Sequence, residues 1–238
     1  MNVLLFGATG MVGQGVLREC LLADDVEVVQ TVGRSAGGAQ NPKLREVVHE
    51  DFWHYDGIAQ RLAGFDACFF CLGVSSSGMK EADYERVTYG MTLAAAEILS
   101  RLNPRMTFIY VSGAGTDSSE RGRSMWARVK GKTENALLRL PFAAYMFRPG
   151  IIQPLFGVKS KTKLYNLFYT IGKPVLPVLK MLFPNSVLTT QQVGLAMLEV
   201  ARHGYAKRIL ETKDIRVAAG IALEQGKSGP GKASSRPV

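Results

Sequence analysis

Gly7-Ala8-Thr9-Gly10-Met11-Val12-Gly13 stands between two segments of different periodicity. Before it, Val3-Leu4-Leu5-Phe6 is an unbroken apolar run of strand length. After it, Met11, Val12, Val16, Leu17, Cys20 and Leu21 recur at three- and four-residue steps, which predicts a helix. Strand, glycine turn, helix is the setting that a dinucleotide-phosphate loop requires. In that reading Gly7 permits the tight turn, Gly10 lets backbone approach a pyrophosphate, and Gly13 lets helix and strand pack closely. The free N–H groups of the helix start, around Thr9, Met11 and Val12, then face the anion. The spacing is G-x-x-G-x-x-G, and the plainer account is an ordinary glycine turn between a buried strand and a helix.

Outward from the loop, Val26 to Val32 reads as a second strand, ending at Gly33-Arg34-Ser35. An acidic residue at this strand end would take ribose hydroxyls and favour NAD(H). Arg34 stands there instead. Its fixed fork suits a 2′-phosphate, with Ser35 as an added donor, so the cofactor predicted is NADP(H) in preference to NAD(H). Leu44 to Val48 reads as a third, edge-like strand. Asp51-Phe52 beyond it has two accounts, an adenine contact or a polar strand end followed by a core Phe.

Asp66 to Leu72 reads as a fourth strand, nearly all apolar as a central parallel strand should be. Ligands of open parallel sheets bind beyond the carboxyl ends of the strands. That puts Leu72, Gly73 and Val74 beside a cofactor and Ser75 toward a substrate. Tyr84 to Leu102 reads as a long helix stopped by Asn103-Pro104. A fifth strand, Met106 to Val111, ends at Ser112. A helix follows over Ser124 to Leu138, and a sixth strand, Ala143 to Phe147, ends at Arg148-Pro149-Gly150. The alternation predicts an α/β fold with a doubly wound parallel sheet. Residues 1–224 read as one nucleotide-binding domain and 225–238, rich in Gly, Ser, Pro and Lys, as a disordered tail.

The chain has 238 residues, 47% hydrophobic and 21% charged, a globular balance. No secretory leader and no span of membrane-crossing length is visible, so a cytoplasmic protein is the default expectation. Cys68 and Cys71 lie three apart on one strand and so face opposite sides of the sheet, which suits small core residues better than a metal or disulfide pair. His49 and His54 have no partner at metal-ligand spacing. Net charge is +9, and Asn135 to Leu198 carries seven Arg and Lys with no Asp or Glu. Such a field favours anionic partners, a phosphorylated cofactor, an acidic substrate or an anionic membrane surface. No nucleic-acid-binding signature is present.

These features together resemble the atypical short-chain dehydrogenase/reductase superfamily, in the epimerase/dehydratase-like NAD(P)-binding branch near the human Tat-interacting oxidoreductase. The resemblance rests on the opening glycines, Gly33-Arg34, Ser112, Lys130 and Arg148-Pro149-Gly150, and covers residues 1 to about 150 well. It implies a catalytic serine at Ser112 and a Tyr-x-x-x-Lys pair on the next helix, the lysine holding the nicotinamide ribose. Here the helix reads Trp126-Ala127-Arg128-Val129-Lys130. Lysine is kept, but tryptophan stands in the tyrosine position, and an indole N–H is no proton relay near neutral pH. Trp126 then either stacks on the substrate side or is a core residue. Two functions follow. One is an NADP-dependent oxidoreductase acting on an unidentified small carbonyl or alcohol. The other is a redox-silent NADP(H)-binding regulator. The family also implies that Ile151 to Thr190, apolar and basic, covers the substrate. An oligomer surface and peripheral contact with an anionic membrane through Leu164 to Phe183 are the competing readings.

Overall fold

A computed structural model describes residues 1–156 and 186–228. Its centre is a seven-stranded sheet of β1 (Asn2–Phe6), β2 (Val28–Gly33), β3 (Leu44–Val48), β4 (Ala67–Phe70), β5 (Thr107–Val111), β6 (Ala143–Arg148) and β9 (Ile209–Glu211). The order is β3-β2-β1-β4-β5-β6-β9, and every pair is parallel. This is the doubly wound sheet the alternation predicted. β7 (Ile151–Gln153) and β8 (Val187–Thr189), a small parallel pair, were not foreseen.

The sheet is buried on both faces, and successive residues of β1 divide between two cores. Val3 and Leu5 face one layer, packed by α1 (Met11–Leu22), α5 (Thr190–His203) and α6 (Thr212–Ser228). Leu4 and Phe6 face the other, packed by the 3₁₀ helix Asp56–Leu62, α3 (Met91–Leu102) and α4 (Met125–Leu137). A central parallel strand must be apolar at every position for this reason. Cys68 joins the second core and Cys71 packs against the first, as the strand period requires.

The long helix expected over Tyr84 to Leu102 is interrupted. A short α2 (Glu81–Glu85) passes through a π turn (Arg86–Gly90) into α3. At Gly90 a Cβ would come within 2.6 Å of the Trp53 ring, so the small residue lets the indole seat against the turn. Thr189 caps α5: its side chain accepts the Gln192 N–H at 3.1 Å, and Gln192 Oε1 accepts the Thr189 N–H at 2.9 Å. Close approach of α1 and α5 depends on Gly15, where a Cβ would fall 2.5 Å from Thr190 Cβ. Of the tail expected from Gln225, residues 225–228 belong to α6, and the rest lies outside the described residues. Ile215, Ala218, Ala219 and Ala222 bury one face of that helix. Leu164 to Phe183, and with it the membrane reading, lies outside the described residues.

Candidate active site at the carboxyl edge of the sheet

All seven strands of the main sheet point the same way, so Gly7, Arg34, Asp51, Gly73, Ser112 and Pro149 follow strand ends on one edge. The glycine loop lies at the middle of that edge. Gly7 adopts φ +78°, and a Cβ there would meet the Cys71 carbonyl carbon and the Leu72 nitrogen at 2.7 Å. Its carbonyl accepts the Gly10 N–H at 2.9 Å, closing the turn. At Gly13 a Cβ would lie 2.1 Å from Gly7 O. Helix and loop therefore touch backbone to backbone.

No side chain caps the start of α1, and its first turn holds no acidic residue. Helices normally satisfy these N–H groups with a cap. Here Thr9 contributes its carbonyl to Gln14 Nε2 at 3.0 Å and leaves the Met11 and Val12 amides uncapped by side chains. A pyrophosphate fits this cradle: the glycines supply approach, and the helix end supplies donors and partial positive charge. At the end of β2, Arg34 and Ser35 are exposed, and Arg34 has no hydrogen-bonding or ion-pair partner among the described residues. Of the β4 loop, Gly73, Val74 and Ser75 are exposed and Leu72 half-buried, with Ser75 Oγ accepting the Ser77 N–H at 3.2 Å.

Asp51-Phe52 separates into its two accounts. Phe52 is buried in the core with Val32, Val47 and Tyr55, so its ring is not available to an adenine. Asp51 is exposed. It accepts the Trp53 N–H at 2.9 Å and pairs with His54 Nδ1 at 2.8 Å, and the His54 hydrogen bond holds its carboxyl below the usual carboxylate range.

The other half of the edge is organised by Glu134, a residue the sequence reading passed over. Its side chain is fully buried on α4, one turn beyond Lys130. Ser112 Oγ donates to Glu134 Oε1 at 2.5 Å and lies 3.1 Å from Phe147 O. Arg148 grips the same carboxylate through Nε at 3.1 and 3.2 Å and through Nη2. Its remaining donors go to Glu211 Oε1 at 3.2 Å and Ser118 Oγ at 2.5 Å. Burial opposes the charge of Arg148. The hydrogen bonds and charge of Glu134, then of Glu211, outweigh that and hold its pKa above the ordinary value. Arg148 is thus the centre of a buried ion-pair cluster, its fork turned onto Glu134. Pro149 and Gly150 secure the same turn: Pro149 O accepts the Ala114 N–H at 2.8 Å, and the Gly150 N–H donates to Thr212 Oγ1 at 2.8 Å. The Ser112 hydroxyl, expected to polarise a substrate oxygen, spends its hydrogen on Glu134.

Lys130 is half-buried, and its Nζ donates to the Ser112 carbonyl. Burial pushes its pKa down to about 8, against a smaller opposing pull from Glu134. α4 is fastened by Arg128, which holds Glu81 through two nitrogens at 2.6 and 3.2 Å, and by Lys132, 2.6 Å from Glu85. It also presses on the loop after β5: a Cβ at Gly131 would stand 1.8 Å from Asp117 O. Trp126 is half-buried, and its ring is the nearest neighbour of a Cβ built at Gly115, at 3.6 Å. The sequence signals for Glu134 were its place at Lys130 plus four and the arginine ending β6, but neither says that they meet. Burial of the Cys71 thiol pushes its pKa up to about 12, so it stays protonated at neutral pH. Among the described residues no group of three metal-ligating side chains occurs, and no helix is long and apolar enough to cross a membrane.

Solved structures that match this architecture include oxidoreductases and a dTDP-glucose 4,6-dehydratase. The DesIV double mutant from Streptomyces venezuelae, a dTDP-glucose 4,6-dehydratase solved with NAD and DAU bound, matches with a TM-score of 0.67 at 16% identity, over 95% of this chain and 81% of that one. The oxidoreductase ylbE from Lactococcus lactis matches with a TM-score of 0.63 at 14% identity, over 94% and 97%. The same fold occurs in short-chain dehydrogenases/reductases from Saccharomyces cerevisiae and Burkholderia thailandensis, with TM-scores of 0.59 and 0.63 at 16% and 17% identity. No family model matches the chain. By sequence it is similar to Protein FMP52-2, mitochondrial, of Scheffersomyces stipitis, 28% identical over 175 residues, 72% of this chain and 73% of the relative. It is also similar to Protein fmp52-2, mitochondrial, of Aspergillus oryzae, 26% identical over 151 residues, 62% and 66%. The cytoplasmic default is overturned by these names, every one of which carries the word mitochondrial. The expectation had rested on the absence of a visible secretory leader, and that absence separates secretion from retention but not one internal compartment from another.

Proposed function

We propose that this chain binds a nicotinamide dinucleotide, NADP(H) in preference to NAD(H), and serves oxidoreductase chemistry on a small carbonyl or alcohol. The observation that carries the reading is the glycine cradle of Gly7 and Gly13 beneath a helix start that no side chain caps. Arg34, exposed and unpartnered among the described residues, supports the NADP(H) preference. Lys130 would hold the nicotinamide ribose. When bound, the nicotinamide supplies hydride exchange, and the chain's own residues bind and orient it. The relatives' names support a mitochondrial location, which imaging of the tagged chain in its own cells tests.

A second reading, redox-silent NADP(H) binding, is favoured by one pair of observations. Trp126 offers no titrating proton, and the Ser112 hydroxyl is turned to Glu134. Loss of general acid–base help costs roughly 100- to 10,000-fold in rate. Titration with NADPH and NADH, in a Trp53→Phe background so that fluorescence reports Trp126 alone, tests the binding they share. Tighter binding of NADPH is the expected result, and binding of neither would sink both readings. A carbonyl panel then separates them. Measurable turnover that Lys130→Ala abolishes favours the enzyme. A silent parent that Trp126→Tyr awakens favours the binder.

A further inference from the structure

The opposite, amino edge of the sheet holds a second polar cleft, of about 460 Å³. Its floor follows from the strand register. Asn2 pairs with Val28, Leu4 with Gln30 and Gln30 with Arg45, and paired residues of parallel strands project from the same face. Val28, Gln30 and Arg45 therefore lie together beyond the layer that Leu4 begins. Its wall is the end of the 3₁₀ helix and the turn after it, with Gln60, Arg61 and Phe65.

The charges of this cleft are unanswered. Arg45 has no hydrogen-bonding or ion-pair partner among the described residues. Arg61 donates only to the Glu46 carbonyl, at 3.3 Å, and has no carboxylate partner among them. The carboxylates nearby in the chain are engaged elsewhere: Asp66 accepts the Asn2 N–H at 2.7 Å, and Glu46 Oε1 accepts the Gly37 N–H at 2.6 Å. Gln30, 95% buried, donates through Nε2 to Arg61 O at 2.6 Å, and its Oε1 accepts nothing from the described residues. That oxygen is an acceptor still open to solvent, able to take a donor from a molecule in the cleft. Val28 and the half-buried Phe65 give the cleft an apolar side.

We propose that this cleft is a second binding site, for a small organic anion that carries its own O–H or N–H donor. The guanidinium groups of Arg45 and Arg61 take the carboxylate or phosphate, and Gln30 Oε1 takes the donor. The site is separate from the glycine loop: Asn2 and Val28 open the strands whose far ends lead to Gly7 and Arg34. It does not depend on the cofactor reading.

The test is an NMR titration of the full chain, following the amides of Gln30 and Gly64, with malate, succinate and inorganic phosphate as probes. Sodium chloride at matched ionic strength is the control. Malate offers two carboxylates and a hydroxyl donor, succinate lacks the hydroxyl, and phosphate tests the other anion class. The expected result is saturable shifts with malate or phosphate, with succinate weaker than malate. Arg45→Ala/Arg61→Ala, altered only at exposed side chains, should bind roughly tenfold or more weakly, the loss expected for two charge-assisted contacts. NADPH affinity of the same variant should not move. Shifts no larger than those of chloride, or equal shifts in the double variant, would overturn the proposal.

Discussion

The two halves of the carboxyl edge are built on opposite plans. Around Gly7 to Gly13 the backbone is packed tightly but its donors are left open: no side chain caps α1, and Arg34 beside it is unpartnered among the described residues. Around Ser112, Glu134 and Arg148 the side chains close on one another, and the buried carboxylate takes up the serine hydroxyl and the arginine fork. One half keeps its donors open. The other has supplied its own anion. The same edge of the sheet thus leaves donors open at one end and locks its side chains together at the other.

The largest effect should come from breaking the closed half. Glu134→Ala leaves Arg148 buried without its main partner and should destabilise by about 3–5 kcal/mol. Urea unfolding measures it, and a loss below about 1 kcal/mol would mean that the cluster does not hold the edge together. The open half breaks differently. Gly13→Ala drives a methyl into Gly7 O, a backbone atom that cannot give way cheaply. A cost of about 1–3 kcal/mol is expected, with cofactor binding lost beyond what the stability change explains. Calorimetric titration of folded variant would show this, and wild-type affinity would contradict the cradle.

Arg34→Ala should sharpen the contrast without touching the fold. NADPH affinity should fall about tenfold or more while NADH affinity stays put, since only one of them carries the 2′-phosphate. An equal fall for both would reassign Arg34. The smallest effect concerns pH. A lysine lowered to about 8 loses its charge as pH rises through that value rather than near its ordinary 10.5. NADPH affinity should therefore decline a few-fold between roughly pH 7 and pH 9. Lys130→Met should flatten that decline, and a profile that Lys130→Met leaves unchanged would place the titrating group elsewhere.

The amino-acid sequence by itself determined the alternation of strands and helices, the parallel sheet and the glycine loop. Each depends on local signals: apolar runs of strand length, three- and four-residue periodicity, and glycines where a side chain would strike backbone. It also showed that tryptophan replaces the expected tyrosine, since that needs only a count of residues along one helix. Tertiary structure alone decided what the polar residues do. Glu134 and Arg148 lie 14 residues apart and meet only because α4 returns its chain to β6. The roles of Ser112 and Arg148 turned on that meeting, because a buried carboxylate attracts every donor within reach. Phe52 was divided from Asp51 in the same way, by a core that formed beneath one and left the other in solvent. Periodicity and steric fit are written in the order of the chain. The partner of a buried charge depends on which distant segments the folded sheet brings together.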